Sequence, residues 1–117
     1  RSSSNQIVII LLSVFFESYV NELIDDYFSE LKENKSAKDI HKTWNFYSTL
    51  NACRFFGILE EREYDLINQV REARNTYAHK FEDYHSQRET QLEQEGRIEE
   101  AIQLYESLIG VNDSMVE

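Results

Sequence analysis

A chain of 117 residues with no proline and only three glycines has few ways to turn sharply. Proline is the strongest helix breaker, and glycine supplies the left-handed backbone that tight β-hairpins need. Long helices therefore meet few interruptions here, and no segment shows strand alternation bounded by turn residues. The expectation is an all-α fold, an antiparallel four- or five-helix bundle. The length fits one domain over residues 1–117 with a modest core. Apolar residues at 41% and aromatics at 13% place the chain among globular proteins.

The first helix is expected over Ser4–Leu31. From Ile7 to Phe16 its apolar positions run right round the cylinder, then narrow to Tyr19, Val20, Leu23, Ile24, Tyr27 and Phe28. That run has the length of a signal-peptide apolar region. Glu17, Asn21, Glu22, Asp25 and Asp26 follow at once, however, without a small-residue cleavage site, and the run alone is too short for a bilayer. It reads as a central helix, with no membrane as partner. A helix apolar on every side must be covered on every side, by the other helices or by a second subunit. The chain opens on Arg1-Ser2-Ser3-Ser4 and not on Met, as a trimmed or excised piece would, so a flanking domain is among the expected neighbours.

A break is expected at Glu33–Ser36, with Ser36 or Asp39 capping a second helix. The stripe of that helix is Ile40, Trp44, Tyr47, Leu50 or Asn51, and Phe55, and Gly57 is placed to close it. A third helix begins near Glu60, with Glu60, Glu61 and Glu63 at the positive end of its dipole. Leu66, Ile67, Val70, Ala73 and Tyr77 form its buried stripe, and Phe81–His85 is the loop after it. The last helical region spans Ser86–Ile109, interrupted at Gly96 and capped by Gly110, with Ile98, Ala101, Ile102, Tyr105 and Leu108 as its stripe. Gly96–Ile102 looks like half a tetratricopeptide repeat, but no second copy exists to stack on it.

The net charge of −10 repels a polyanion at long range, so any RNA contact must be a local positive site on an acidic body. One cysteine, Cys53, cannot form an internal disulfide and fits a reducing, cytoplasmic setting. His41 reads as an exposed polar residue. Glu82 and His85 have the Glu-x-x-His spacing of di-iron bundles, but those sites need a second copy and more carboxylates. No metal and no cofactor is expected.

One segment offers chemistry: Arg71-Glu72-Ala73-Arg74-Asn75-Thr76-Tyr77-Ala78-His79, closing the third helix. At about 100° per residue, Asn75 and His79 fall on nearly one face, and the long Arg74 side chain can swing toward them. The negative helix end favours protonated His79, and Arg71 and Lys80 complete the one positive spot on the chain. His79 could pass a proton to or from a ribose or leaving oxygen while Arg74 stabilises charge on phosphoryl oxygens. Arginine and histidine are also favoured at helix C-termini without any function, and Asn75 can serve as a cap or a core hydrogen bond.

Arg74-Asn75-Thr76-Tyr77-Ala78-His79, late in a helix of a small all-α chain, resembles the motif of HEPN domains: Arg, four to six residues, His. The stretch from Phe56 to Ile67 is similar to many members and to mannitol-repressor-like relatives, and the likeness covers roughly residues 5–85. The resemblance implies a homodimer and metal-independent RNA cleavage leaving a cyclic phosphate. Arg74, Asn75 and His79 would be catalytic, in a cleft between subunits, and Arg71, Lys80 and Glu17 would touch the RNA substrate. It further implies a toxin or defence effector held by an antitoxin. HEPN toxins paired with small nucleotidyltransferases carry a tyrosine two residues past the histidine, where this chain has Phe81. Many HEPN domains lack activity, so the competing expectation is a non-catalytic dimerisation or partner-binding module.

Overall fold

The computed structural model describes residues 2–30, 41–79 and 89–110. Helix α1 is Ser2–Ser29, followed by one turn of 3-10 helix at His41–Thr43 and then α2, Phe46–Phe55. Helix α3 is Glu61–His79, α4 is the single turn Gln91–Gln94, and α5 is Ile98–Ile109. The protein is all-α, with no strand among the described residues.

Helix α1 is the axis of the bundle and touches α2, α3 and α5. Ile9, Phe16, Val20 and Ile24 are fully buried along it, seven, four and four residues apart, on one helical face. Leu50, Cys53, Ile67 and Val70 meet them from α2 and α3. The other side of the same helix is apolar too, and there Ile7, Ile10, Leu11 and Val14 are left in water, Leu11 at 64% exposure. The surplus anticipated from the sequence is therefore real, and no other element among the described residues covers it. Within Ser4–Ser29, 26 residues long, the most apolar 18-residue stretch has a mean hydropathy of 1.9, so the helix is long and apolar enough to cross a bilayer. The length argument drawn from Ile7–Phe16 alone thus understated the helix. Here it is the core helix of a bundle.

Helix α2 departs from expectation at its start. Asn45, extended at φ −82° and ψ 175°, accepts the Ser48 N–H at 2.8 Å on its side chain and begins the helix at Phe46. Ser36 and Asp39 lie outside the described residues. Because the helix starts afresh after Asn45, a stripe counted on from Trp44 is out of phase. The buried face is Phe46, Thr49, Leu50 and Cys53, while Tyr47 and Phe55 are 51% and 84% exposed. Gly57, at φ 71°, ends the helix: its N–H reaches Arg54 O at 3.1 Å and the Ile58 N–H reaches Cys53 O at 2.9 Å. This pair of bonds needs a left-handed residue, which is glycine's role.

The Gly57 turn sends α3 back antiparallel to α2. Arg54 pairs with Glu61 beside the turn, the Tyr64 hydroxyl donates to Asn51 Oδ1 at 2.6 Å, and Arg71 and Arg74 end up over Tyr47 and Phe46. Helix α5 runs antiparallel to α3 in turn, with Arg97 2.7 Å from Asp65 and Glu100 3.5 Å from Arg62. Between them α4 is fixed by a capping box: the Glu93 N–H donates to Thr90 Oγ1 at 3.3 Å and the Thr90 N–H to Glu93 Oε1 at 3.0 Å. Gly96 and Gly110 fall where the last helical region was expected to break and to end.

His41 is not the exposed residue expected of it. It is 6% exposed, stacked on Phe28 at 5.3 Å, edge-on to Trp44 and bonded through Nε2 to the Asp25 carboxylate. An aromatic pocket open on one carboxylate suits an imidazole better than water does.

Candidate functional site

The last two turns of α3 bring Arg71, Arg74 and Asn75 to one end of the bundle, but aim them differently. Arg74 faces α1 and α2. Its Nη1 lies 3.7 Å from Glu17 Oε1, and its guanidinium carbon 5.9 Å from the centre of the Phe46 ring. Both partners of that ion pair are a third or more exposed, and 3.7 Å exceeds hydrogen-bond distance, so the contact is worth little on its own. Glu17, an acid in the middle of α1, therefore does sit beside Arg74.

Arg71 is held more firmly. Its Nε and Nη2 both donate to Asn68 Oδ1, at 3.0 and 2.9 Å, one helical turn earlier. Its guanidinium lies over the Tyr47 ring, 4.6 Å from the centre, and among the described residues its close acid is Glu72 at 3.8 Å. A neutral amide oxygen fixes this cation without cancelling its charge, whereas the charge of Arg74 is shared with Glu17.

Asn75 lies some 100° round the helix from Arg74 and opens instead onto a polar groove of about 490 Å³ between α3 and α4. Gln69, Arg71, Glu72, Ala73, Thr76, Thr90 and Gln91 also line it. Gln69 is buried, with its amide donating to Glu95 Oε1 at 3.2 Å. Arg71 thus stands between two surfaces, the Tyr47–Phe46 side and the groove. His79 is the final residue of α3, one turn past Asn75. The His79 side chain, Lys80, Phe81, Glu82 and His85 lie outside the described residues. Among the described residues no cluster of acids, histidines or cysteines could hold a metal.

Two residues of this site were missed by sequence reasoning. Phe46 and Tyr47 were assigned to a buried stripe or to none, yet they are the aromatic floor under the two guanidiniums. The signal that finds them is the Gly57 turn. Once α2 and α3 are folded back on each other there, consecutive aromatics at the start of α2 meet arginines spaced three apart near the end of α3.

Away from this end the titratable groups are structural. Burial pushes the Cys53 thiol up to about 11, and its Sγ lies 3.6 Å from the Val20 carbonyl. Burial and the neighbouring Glu60 raise the Glu63 carboxyl, and burial with Glu63 nearby raises the Tyr19 phenol. No family model, curated protein or solved structure matches this chain.

Proposed function

We propose that this protein is a HEPN-type, metal-independent ribonuclease, a cytoplasmic toxin or defence effector that works as a homodimer with a composite site. The observation that carries the reading is the position of Arg74, five residues before the helix-ending His79. It is a partly exposed guanidinium, loosely engaged by one carboxylate and backed by an aromatic ring. A phosphate can displace a carboxylate held at 3.7 Å, because the doubly hydrogen-bonded guanidinium–phosphate pair is the stronger contact.

The chemistry needs a base and an acid on opposite sides of the phosphorus. One His79, neutral, takes the proton of the ribose 2′-hydroxyl as that oxygen bonds to phosphorus. The His79 of a second copy, protonated, gives its proton to the 5′-oxygen as the phosphorus–oxygen bond breaks. The products are a 2′,3′-cyclic phosphate and a free 5′-hydroxyl, and the Arg74 guanidiniums carry the charge that gathers on the phosphoryl oxygens.

The exposed seam of α1 supports a dimer that serves this purpose. Ile7, Ile10, Leu11 and Val14 follow the three-four spacing of a helix-packing face, and Glu17 comes one turn after Val14, about 4.5 Å along the axis. A two-fold axis crossing this seam would lie next to both Glu17–Arg74 pairs. The alternative reading, a non-catalytic module for dimerisation or partner binding, is favoured by the same seam, which needs no chemistry to be useful.

The deciding assay is cleavage of a panel of single-stranded RNAs by the full chain in the presence of a metal chelator, with His79→Ala alongside. Wild-type cleavage that disappears in the variant supports the enzyme. Equal background in both proteins, with the dimer intact, replaces it with the binding module.

A further inference from the structure

We propose that Tyr47, backed by Arg71, is a stacking platform for one unpaired nucleobase beside the phosphate held at Arg74. This makes the substrate single-stranded RNA, and it rests on the RNA reading given above. Tyr47 is an aromatic residue in the first turn of α2, and half of it remains in water although one ring face is covered. The cover is a guanidinium 4.6 Å away, itself pinned by two hydrogen bonds to Asn68, while among the described residues 51% of Tyr47 stays exposed. A rigid aromatic face with a cation behind it loses little freedom when a flat partner lands on it.

The neighbouring residue, Phe46, lies under Arg74, so the platform and the candidate phosphate site are adjacent positions on one short helix. Successive phosphates in a single strand are spaced closely enough for a base on Tyr47 and a phosphate on Arg74 to belong to neighbouring nucleotides. On the far side of Arg71, the Asn75–Gln91 groove continues the path with polar side chains suited to ribose and base edges, its Glu72 carboxylate favouring those groups over a phosphate. Bases locked in a duplex cannot reach a face of this kind, because stacking on protein requires them to leave the helical stack. The acidic body strengthens the argument. With a net charge of −10 the chain cannot attract RNA by diffuse electrostatics, so affinity has to come from local contacts of which stacking is the least sensitive to charge.

The test uses the full chain and a 2′-O-methyl single-stranded octamer, which cannot be cleaved through its ribose hydroxyl, carrying one 2-aminopurine. Binding to wild type should quench the 2-aminopurine fluorescence. Tyr47→Ala should weaken binding about tenfold and abolish the quench, while Tyr47→Trp should keep both. The same sequence as a duplex should bind at least about tenfold more weakly. If wild type binds the octamer and Tyr47→Ala binds equally with an unchanged quench, the platform is wrong and the RNA reading survives. If wild type binds no RNA at all, the RNA reading falls and takes the platform with it.

Discussion

The two arginines near the end of α3 are chemically alike but differently restrained, and this difference is open to experiment. Arg74 shares its charge with Glu17 at 3.7 Å, whereas Arg71 is fixed by the neutral Asn68 amide. Arg74→Ala should lower cleavage by about two to three orders of magnitude, the range for losing one donor to a developing oxyanion, with the helical circular-dichroism signal unchanged. Glu17→Gln should tighten RNA binding in a titration, since it removes a carboxylate that competes with phosphate at the same guanidinium. Weaker binding by that variant would mean that Glu17 contacts RNA directly. At this scale the sequence was legible for residue types and poorly legible for directions. Arg74, Asn75 and Glu17 stand out from spacing and resemblance, but the divergence of Arg74 and Asn75 follows from helix rotation once Glu17 and Phe46 draw the arginine one way. His41 was misjudged because its burial depends on Phe28 and Trp44 from separate elements, a tertiary fact that no local pattern carries.

Helix boundaries follow local chemistry where that chemistry is unambiguous. Gly57, Gly96 and Gly110 mark turns, and the Thr90–Glu93 capping box sets a single turn of α4 between two of them. The start of α2 was misplaced because serine, aspartate and asparagine are all competent caps, and only the structure shows that Asn45 is the one used for Phe46–Phe55. Thr90→Ala should cost about 1 kcal/mol in urea denaturation, the usual value of such a cap. Glu93 adds a pH dependence. Burial works to raise its carboxyl, but the Thr90 N–H, the Tyr77 phenol, the Thr90 hydroxyl and the Asn5 amide outweigh it and hold the group below the ordinary range. Folding thus favours the ionised form. Its contribution is complete above the ordinary carboxylate range and is lost as pH falls through that range and below. The stability gap between wild type and Glu93→Gln, measured by urea titration at several pH values, should therefore narrow on acidification. A gap that stays constant would show that Glu93 acts through packing alone.

For the molecule as a whole, the governing contrast is between an acidic body and an uncharged start. Residues 2–16 contain no Asp, Glu, Lys or Arg, and four of their large apolar side chains face water in a chain of net charge −10. Two such molecules can approach seam to seam without bringing like charges together. Sedimentation at micromolar concentration should give about twice the chain mass, and added salt should not dissociate that dimer, since apolar contact is not screened. Leu11→Arg should convert it to a monomer and abolish cleavage, while an unchanged mass would remove the seam as the interface. RNA binding should respond to salt only weakly. A site in which Arg74 holds the phosphate while Arg71 backs the Tyr47 ring neutralises one phosphate, so the slope of log K against log salt should be about −0.7. The all-α architecture was readable from the lack of proline and the helical stripes. What covers the outer face of α1 was not, because an all-round apolar helix records how much surface must be buried and leaves the partner unstated.

Cys53 gives the protein a built-in clock for its own opening. It is the sole thiol in the chain, fully buried where α2 meets α1, and burial raises it to about 11. At neutral pH the folded state therefore keeps the thiol protonated, and its burial keeps it out of reach of reagents. Alkylation must wait for α2 to lift away. Labelling rates under native conditions will thus read directly how often the α1–α2 contact breaks, separately for wild type and for each variant proposed here.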